Sequence, residues 1–119
     1  MPKIMLAEDD PTMITLLETL LGMEGYQVVS LGLYDDVLES VRNDRPDVLL
    51  LDVHLSNANG LDVLTQLKSD EETKDLSVVM TSGLNVEDEC INNGANGFLL
   101  KPYMPDDLLE VLKHNLDHS

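Results

Sequence analysis

Four short apolar runs in the chain each end in a chemically reactive polar group. Lys3-Ile4-Met5-Leu6-Ala7 runs into Glu8-Asp9-Asp10, and Val48-Leu49-Leu50-Leu51 into Asp52. Val78-Val79-Met80 runs into Thr81-Ser82, and Gly97-Phe98-Leu99-Leu100 into Lys101-Pro102. Runs of this length suit strands that are buried on both faces. If they lie parallel in one sheet, all four polar groups emerge at the same edge. That edge, outside the carboxyl ends of the strands, is where open α/β sheets bind ligands.

The segments between the runs have helical period. Residues 11–24 place Met13, Ile14, Leu17, Leu20 and Leu21 on one stripe. Asp10 is a natural N-cap with Pro11 at the favoured first position, and Gly25 is a C-terminal stop. Gln27 to Ser30 reads as a second strand, and Asp35 to Asn43 as a second helix with Val37, Leu38 and Val41 inward. Pro46 bars continuation of that helix. The third strand is Val48 to Leu51. A loop over 56–60 leads to a third helix with the stripe Leu61, Val63, Leu64 and Leu67. Ser77 to Thr81 reads as a fourth strand, and Val86 to Asn93 as a short fourth helix with Cys90 and Ile91 inward and Gly94 as its stop. Asn96 to Leu100 forms a fifth strand. Pro105 opens a last helix carrying Leu108, Leu109, Val111, Leu112 and Leu116. This repeated strand–helix alternation predicts an α/β fold, a doubly wound five-stranded parallel sheet with helices on both faces.

The length of 119 residues suits a single domain spanning 1–119, and 43% hydrophobic content is enough for its core. No internal repeat or linker divides the chain, which stops soon after the last helix, so no output domain is expected within it. The formal net charge is −16, from 23 acidic and 7 basic residues. Nucleic-acid phosphates and anionic membrane surfaces are bound by Lys/Arg patches, so direct binding to either is disfavoured. The single cysteine, Cys90, permits no intramolecular disulfide and reads as a half-buried helix thiol. No apolar run is long enough to cross a bilayer, and Glu8-Asp9-Asp10 interrupts any signal-peptide pattern, so a cytoplasmic location is expected.

The groups at the expected edge are several carboxylates, a hydroxyl and an ammonium. Carboxylates that close together disfavour one another's charge, and a hard divalent cation with oxygen ligands relieves the conflict. Magnesium suits the set better than calcium, because it accepts few carboxylates and keeps places for a carbonyl, waters and a phosphoryl oxygen. Asp9 and Glu8 are the metal candidates, with Asp10 as the cap. Asp52, at the end of the most apolar strand, is the candidate nucleophile, since a carboxylate can accept a phosphoryl group as an acyl phosphate. Lys101 and Ser82 offer an ammonium and a hydroxyl to phosphoryl oxygens. Each of these residues also has an ordinary role: an aspartate after a strand often caps a turn, and Lys-Pro is a common pair. His54 among hard oxygen ligands does not make a zinc or iron site, and a rim position facing solvent is the simpler reading for its side chain.

With these pieces in order, the sequence resembles the receiver domains of two-component response regulators, the CheY-like family. The matching segments are Met5-Leu6-Ala7-Glu8-Asp9-Asp10-Pro11, Leu50-Leu51-Asp52-Val53-His54-Leu55, Asn59-Gly60-Leu61, Thr81-Ser82-Gly83, Gly94-Ala95-Asn96-Gly97-Phe98 and Lys101-Pro102-Tyr103. The resemblance implies that Asp52 is the phosphoacceptor and that Asp9 ligates Mg²⁺, with Glu8 reaching the ion through water. It implies that the backbone carbonyl of His54 also binds the metal. Ser82 matches the switch hydroxyl, Phe98 the aromatic switch position and Lys101 the family's lysine, with Lys101–Pro102 cis. It implies a signalling domain that assists its own phosphotransfer and dephosphorylation and is not otherwise an enzyme. Its partners would be a sensor histidine kinase or phosphotransfer protein and a downstream protein target. Ser56 stands where the family often has proline, and Asn59 where it often has aspartate. The stretch from Ser82 to Lys101 is short for the family, so a truncated fourth helix is expected.

Three other readings share the topology. A phosphorylation-independent interaction module needs none of Asp9, Asp52, Ser82 and Lys101, all of which are present. A flavin carrier needs a hydroxyl- and glycine-rich phosphate loop where Glu8-Asp9-Asp10 stands, and aromatic rings, which are only 3% of the chain. An aspartate-nucleophile phosphohydrolase needs a carboxylate two residues after Asp52, where His54 stands.

Overall fold

The computed structural model describes residues 1–32 and 35–117. Five strands and five helices alternate: β1 (Lys3–Ala7), α1 (Pro11–Met23), β2 (Gln27–Ser30), α2 (Val37–Asp44), β3 (Val48–Asp52), α3 (Gly60–Ser69), β4 (Ser77–Ser82), α4 (Glu87–Asn92), β5 (Gly97–Leu100) and α5 (Pro105–Asp117). The strands form one sheet in the order β2-β1-β3-β4-β5, and every neighbouring pair is parallel. The doubly wound sheet read from the sequence is therefore the fold.

The core is two clusters, one on each sheet face. Met5, Leu49, Leu51 and Met80 face Val41 of α2, Leu64 and Leu67 of α3 and Cys90 of α4. Ile4, Leu6, Leu50 and Val79 face Leu17 and Leu21 of α1 and Leu108 and Leu112 of α5. All five residues of β3 are buried, as an unbroken apolar run predicts. Each fully buried leucine contributes about 1.5–3 kcal/mol, and β3 supplies Leu49 and Leu51 to one cluster and Leu50 to the other.

The element ends follow local chemistry. Asp10 caps α1, its Oδ1 accepting the N–H groups of Thr12 (2.9 Å) and Met13 (3.4 Å). Asp36 caps α2 through the N–H of Glu39, so that helix starts two residues later than its periodicity predicts. Arg45, at φ 47°, ends α2 in a left-handed turn before Pro46. The strands β3 and β4 each run one residue further than expected and take in Asp52 and Ser82. The helix α4 has only six residues and is indeed short. Two expectations for it fail. Cys90 is fully buried rather than half-buried, and Ile91, expected inward, is 45% exposed. A single turn and a half has room to bury one residue against the sheet, and Cys90 takes that place. Burial, with Glu89 and Glu87 nearby, raises the Cys90 pKa, so the thiol is inert.

Gly60 decides how α3 approaches β3. A Cβ at this position would lie 2.2 Å from the carbonyl oxygen of Asp52 and 2.7 Å from Cα of Val53. The Gly60 N–H donates to the Val53 carbonyl at 2.7 Å, so the turn cannot simply back away. Gly60→Ala is expected to destabilise the protein by about 3 kcal/mol through overpacking against backbone. A lower urea midpoint with an unchanged m-value would report it; an unchanged midpoint would show that the turn yields freely.

Candidate functional site

Three side chains from three strand ends meet at the carboxyl edge. Lys101 Nζ donates to Glu8 Oε1 at 2.7 Å and to Asp52 Oδ2 at 2.6 Å. Glu8 and Asp52 are 9% and 6% exposed. Buried carboxylates need partners for every oxygen, and here each has them. Glu8 Oε2 accepts the N–H groups of Asp9 (2.9 Å) and Asp10 (3.4 Å), and Asp52 Oδ1 accepts the N–H of His54 (2.9 Å). Burial works against the Lys101 charge, but its hydrogen bonds to Asp52 and Glu8 outweigh burial and raise its pKa above the ordinary lysine value.

The other residues singled out from the sequence stand around this triad. The Asp9 carboxylate is turned outward onto the N–H of Ser56, in the loop after β3. Ser82 is fully buried at the end of β4, and its Oγ accepts the N–H of Leu84 at 3.0 Å. The His54 side chain is exposed at the rim, and its backbone bridges to Asn59. Phe98 is half-buried and packs with the cluster beneath α2, α3 and α4. The Lys101–Pro102 peptide bond is cis. The fold thus joins Glu8, Asp52 and Lys101 directly, whereas Asp9 and Ser82 flank them with other partners. Among the described residues, no three acidic, histidine or cysteine side chains gather closely enough to enclose an ion. The reason is visible in the bonding: Lys101 sits between Glu8 and Asp52, and Ser56 holds Asp9.

Sequence reasoning gave no role to three residues that shape the site. Ser56 supplies the N–H that holds Asp9, a backbone role with no side-chain signature. Gly60 sets the close approach behind Asp52, which an Asn-Gly turn ahead of a helix could have suggested. Tyr103 lies two residues beyond Lys101, its hydroxyl 3.9 Å from Met13 Sδ.

Burial pushes the Tyr103 pKa up to about 12; Lys101 opposes the rise, and Glu8 and Asp52 add to it. A phenol held neutral in the fold binds its proton longer than in the unfolded chain. Its contribution is full below the unfolded pKa and is lost as pH rises through the folded one. Stability is therefore expected to fall between about pH 10 and 12, and Tyr103→Phe should flatten part of that fall. Superimposable pH–stability curves for the two proteins would refute the assignment.

The family model of the response regulator receiver domain matches residues 4–113. The DNA-binding response regulator MtrA of Mycolicibacterium smegmatis is 30% identical over 116 residues, covering 96% of this chain and 50% of MtrA. The chain thus spans about half the length of the curated relatives it matches first. Among solved structures, the fluoroberyllate-activated N-terminal receiver domain of Klebsiella pneumoniae RstA superimposes with TM-score 0.87 at 28% identity, covering 96% of this chain and 97% of that one. The receiver domain of a Pseudomonas aeruginosa sensor histidine kinase, solved with a magnesium ion in its active-site cleft, gives 0.84 at 25% identity and covers 98% of both chains. A parallel five-stranded sheet with this carboxyl-edge triad, matched along nearly its whole length, belongs to the response regulator receiver domain family of two-component signalling.

Proposed function

We propose that residues 1–119 act as one phosphoacceptor receiver unit, taking a phosphoryl group onto Asp52 from the phosphohistidine of a sensor kinase or phosphotransfer protein. The observation that carries this reading is Asp52 itself: a carboxylate at the end of a strand buried along its whole length, held by one ammonium and one backbone N–H. In the transfer, an Asp52 oxygen forms the bond to phosphorus as the bond from phosphorus to the donor nitrogen breaks. Lys101, already between two carboxylates, is within reach of a phosphoryl oxygen on Asp52. Ser82 Oγ, which accepts the Leu84 N–H, keeps its own proton and moves toward another to donate it. That movement opens space behind Ser82 for Phe98 to repack, and the change passes to α4, β5 and α5. Phe98 has no hydroxyl, so its readout is by packing.

Mg²⁺ fits this donor set. Glu8, Asp9 and Asp52 set three negative charges against the one positive charge of Lys101, all with hard oxygens. Asp9, Asp52 and the backbone carbonyl of His54 would hold the ion, with Glu8 behind a water. When bound, it offsets charge on the phosphoryl oxygens. A fluoroberyllate-activated relative and a magnesium-bound one support the reading by analogy. The net charge of −16 favours a protein target over nucleic acid for this domain, and a cytoplasmic setting accords with a kinase partner. Among the described residues, no helix is long and apolar enough to cross a membrane. The short α4 is the one feature that suits a phosphorylation-independent interaction module on the same fold.

Acetyl phosphate with Mg²⁺ is expected to add one phosphoryl mass to the protein, and Asp52→Asn to abolish the gain. Equal labelling of that variant would sink the assignment. Asp9→Ala is expected to weaken Mg²⁺ binding about tenfold or more, a loss of roughly 1.4 kcal/mol, by isothermal titration. Unchanged affinity would leave Asp9 as only a tether for the Ser56 loop.

A further inference from the structure

We propose that a cavity at the amino edge of the sheet binds a small zwitterion, an apolar α-amino acid, independently of the chemistry at Asp52. The end of α2 and the segment between α3 and β4 enclose about 260 Å³ there. Pro46 and Asp47 lead from it into β3, and Asp75 and Leu76 into β4, so it lies at the opposite end of the strands from Glu8, Asp52 and Lys101. Its floor is apolar: Val41 and Pro46 are buried and Leu76 is half-buried. Thr73 is buried beside them, and its hydroxyl is already donated to the Leu67 carbonyl at 2.7 Å. The rim carries five charges, those of Arg42, Arg45, Asp47, Glu72 and Asp75.

Three of the five are already engaged. Arg42 pairs with Asp70 and lies 3.8 Å from Glu72 Oε2, and Asp47 Oδ2 accepts the N–H of Lys3 at 2.7 Å. The other two are not. Among the described residues, Arg45 has no ion pair and no side-chain hydrogen bond, although the chain sets 23 acidic residues against 7 basic. Asp75 has no ion pair either, and acts on Lys68 only through its field. Arg45 also holds φ 47°, a left-handed position that glycine fills freely and a side chain fills at a cost. Outliers of this kind gather at ligand clamps. The guanidinium is a planar fork that fits a carboxylate with two bonds, and the Asp75 carboxylate, on the opposite wall, accepts from an ammonium. A plain anion would meet three carboxylates at this rim and a plain cation two guanidiniums, whereas a ligand of both signs finds a partner at each end. The floor of Val41, Pro46 and Leu76 suits its apolar side chain.

L-Leucine is the probe, titrated into the intact chain and followed by amide NMR. The expected result is saturable binding with a Kd of about 1 mM, as suits so small a ligand on an open site, and shifts confined to residues 41–48 and 70–76. N-Acetyl-leucine lacks the ammonium and leucinamide the carboxylate, and each should bind about fivefold more weakly. Asp75→Asn should erase the preference for leucine over N-acetyl-leucine, and Arg45→Gly the preference over leucinamide. Glycine accepts a left-handed backbone without strain, so Arg45→Gly should keep or raise the urea midpoint while it weakens binding. Arg45→Asn, the other residue at ease there, repeats the test with a side chain in place. Equal affinity for leucine and either analogue, undiminished leucine binding in both Arg45 variants, or no saturable shift would each overturn the proposal. Shifts at Asp52 and Lys101 in place of the amino edge would overturn it too, by putting the ligand in the receiver site.

Discussion

Two carboxylates, each nine-tenths buried, share one ammonium at the end of the sheet, and the rest of the structure is arranged to hold them there. Removing charge from water is expensive unless every oxygen finds a partner. Glu8 and Asp52 meet that condition with Lys101 and three backbone N–H groups. The backbone donors come from the first residues beyond β1 and β3, and the ammonium from the first residue beyond β5. The triad therefore forms only when all three strands are in register, and it ties the completeness of the site to the completeness of the fold.

Charge is distributed along the strands in keeping with this. Of the seven cationic residues, Lys101 alone stands at the carboxyl edge. Lys3 opens β1, Arg42 and Arg45 close α2, Lys68 stands in the last turn of α3 and Lys74 lies between α3 and β4. There Arg42 and Lys68 serve structure. Arg42 pairs with Asp70, and Lys68 Nζ donates to the Leu76 carbonyl at 2.7 Å and Asn96 Oδ1 at 2.9 Å. Burial lowers the Lys68 pKa, with Asp75 opposing, as suits an ammonium whose bonded acceptors are neutral oxygens. The carboxyl edge is left negative overall, with one positive charge at its centre, held between Glu8 and Asp52.

The strand–helix alternation was legible because each element has its own apolar period and its own stop. Asp10-Pro11, Gly25, Pro46 and Gly94 mark ends that local chemistry enforces without help from distant residues. The boundaries that shifted were set by other forces. Asp52 and Ser82 joined their strands because neighbouring strands supply ladder partners, as Asp52 and Thr81 do in β3 and β4. Ile91 turned outward because six residues of α4 have one inward position against the sheet, which helical period alone cannot allot.

For the site, the sequence by itself determined which groups arrive at the carboxyl edge: Glu8, Asp9, Asp52, Ser82 and Lys101 each follow an apolar run, and parallel strands deliver them together. Only the tertiary structure decided who touches whom. Lys101 takes Glu8 and Asp52, Asp9 is drawn aside by the Ser56 N–H, and Ser82 faces Leu84, because hydrogen bonds act over about 3 Å between atoms whose separation along the chain reaches 93 residues. Gly60 belongs to the same class, since its need for no side chain appears only once the Asp52 carbonyl lies against it. Periodicity is a local property of the chain and is written in the order of its residues. Contact at bonding distance is a property of packed elements, and it exists only when the sheet has closed.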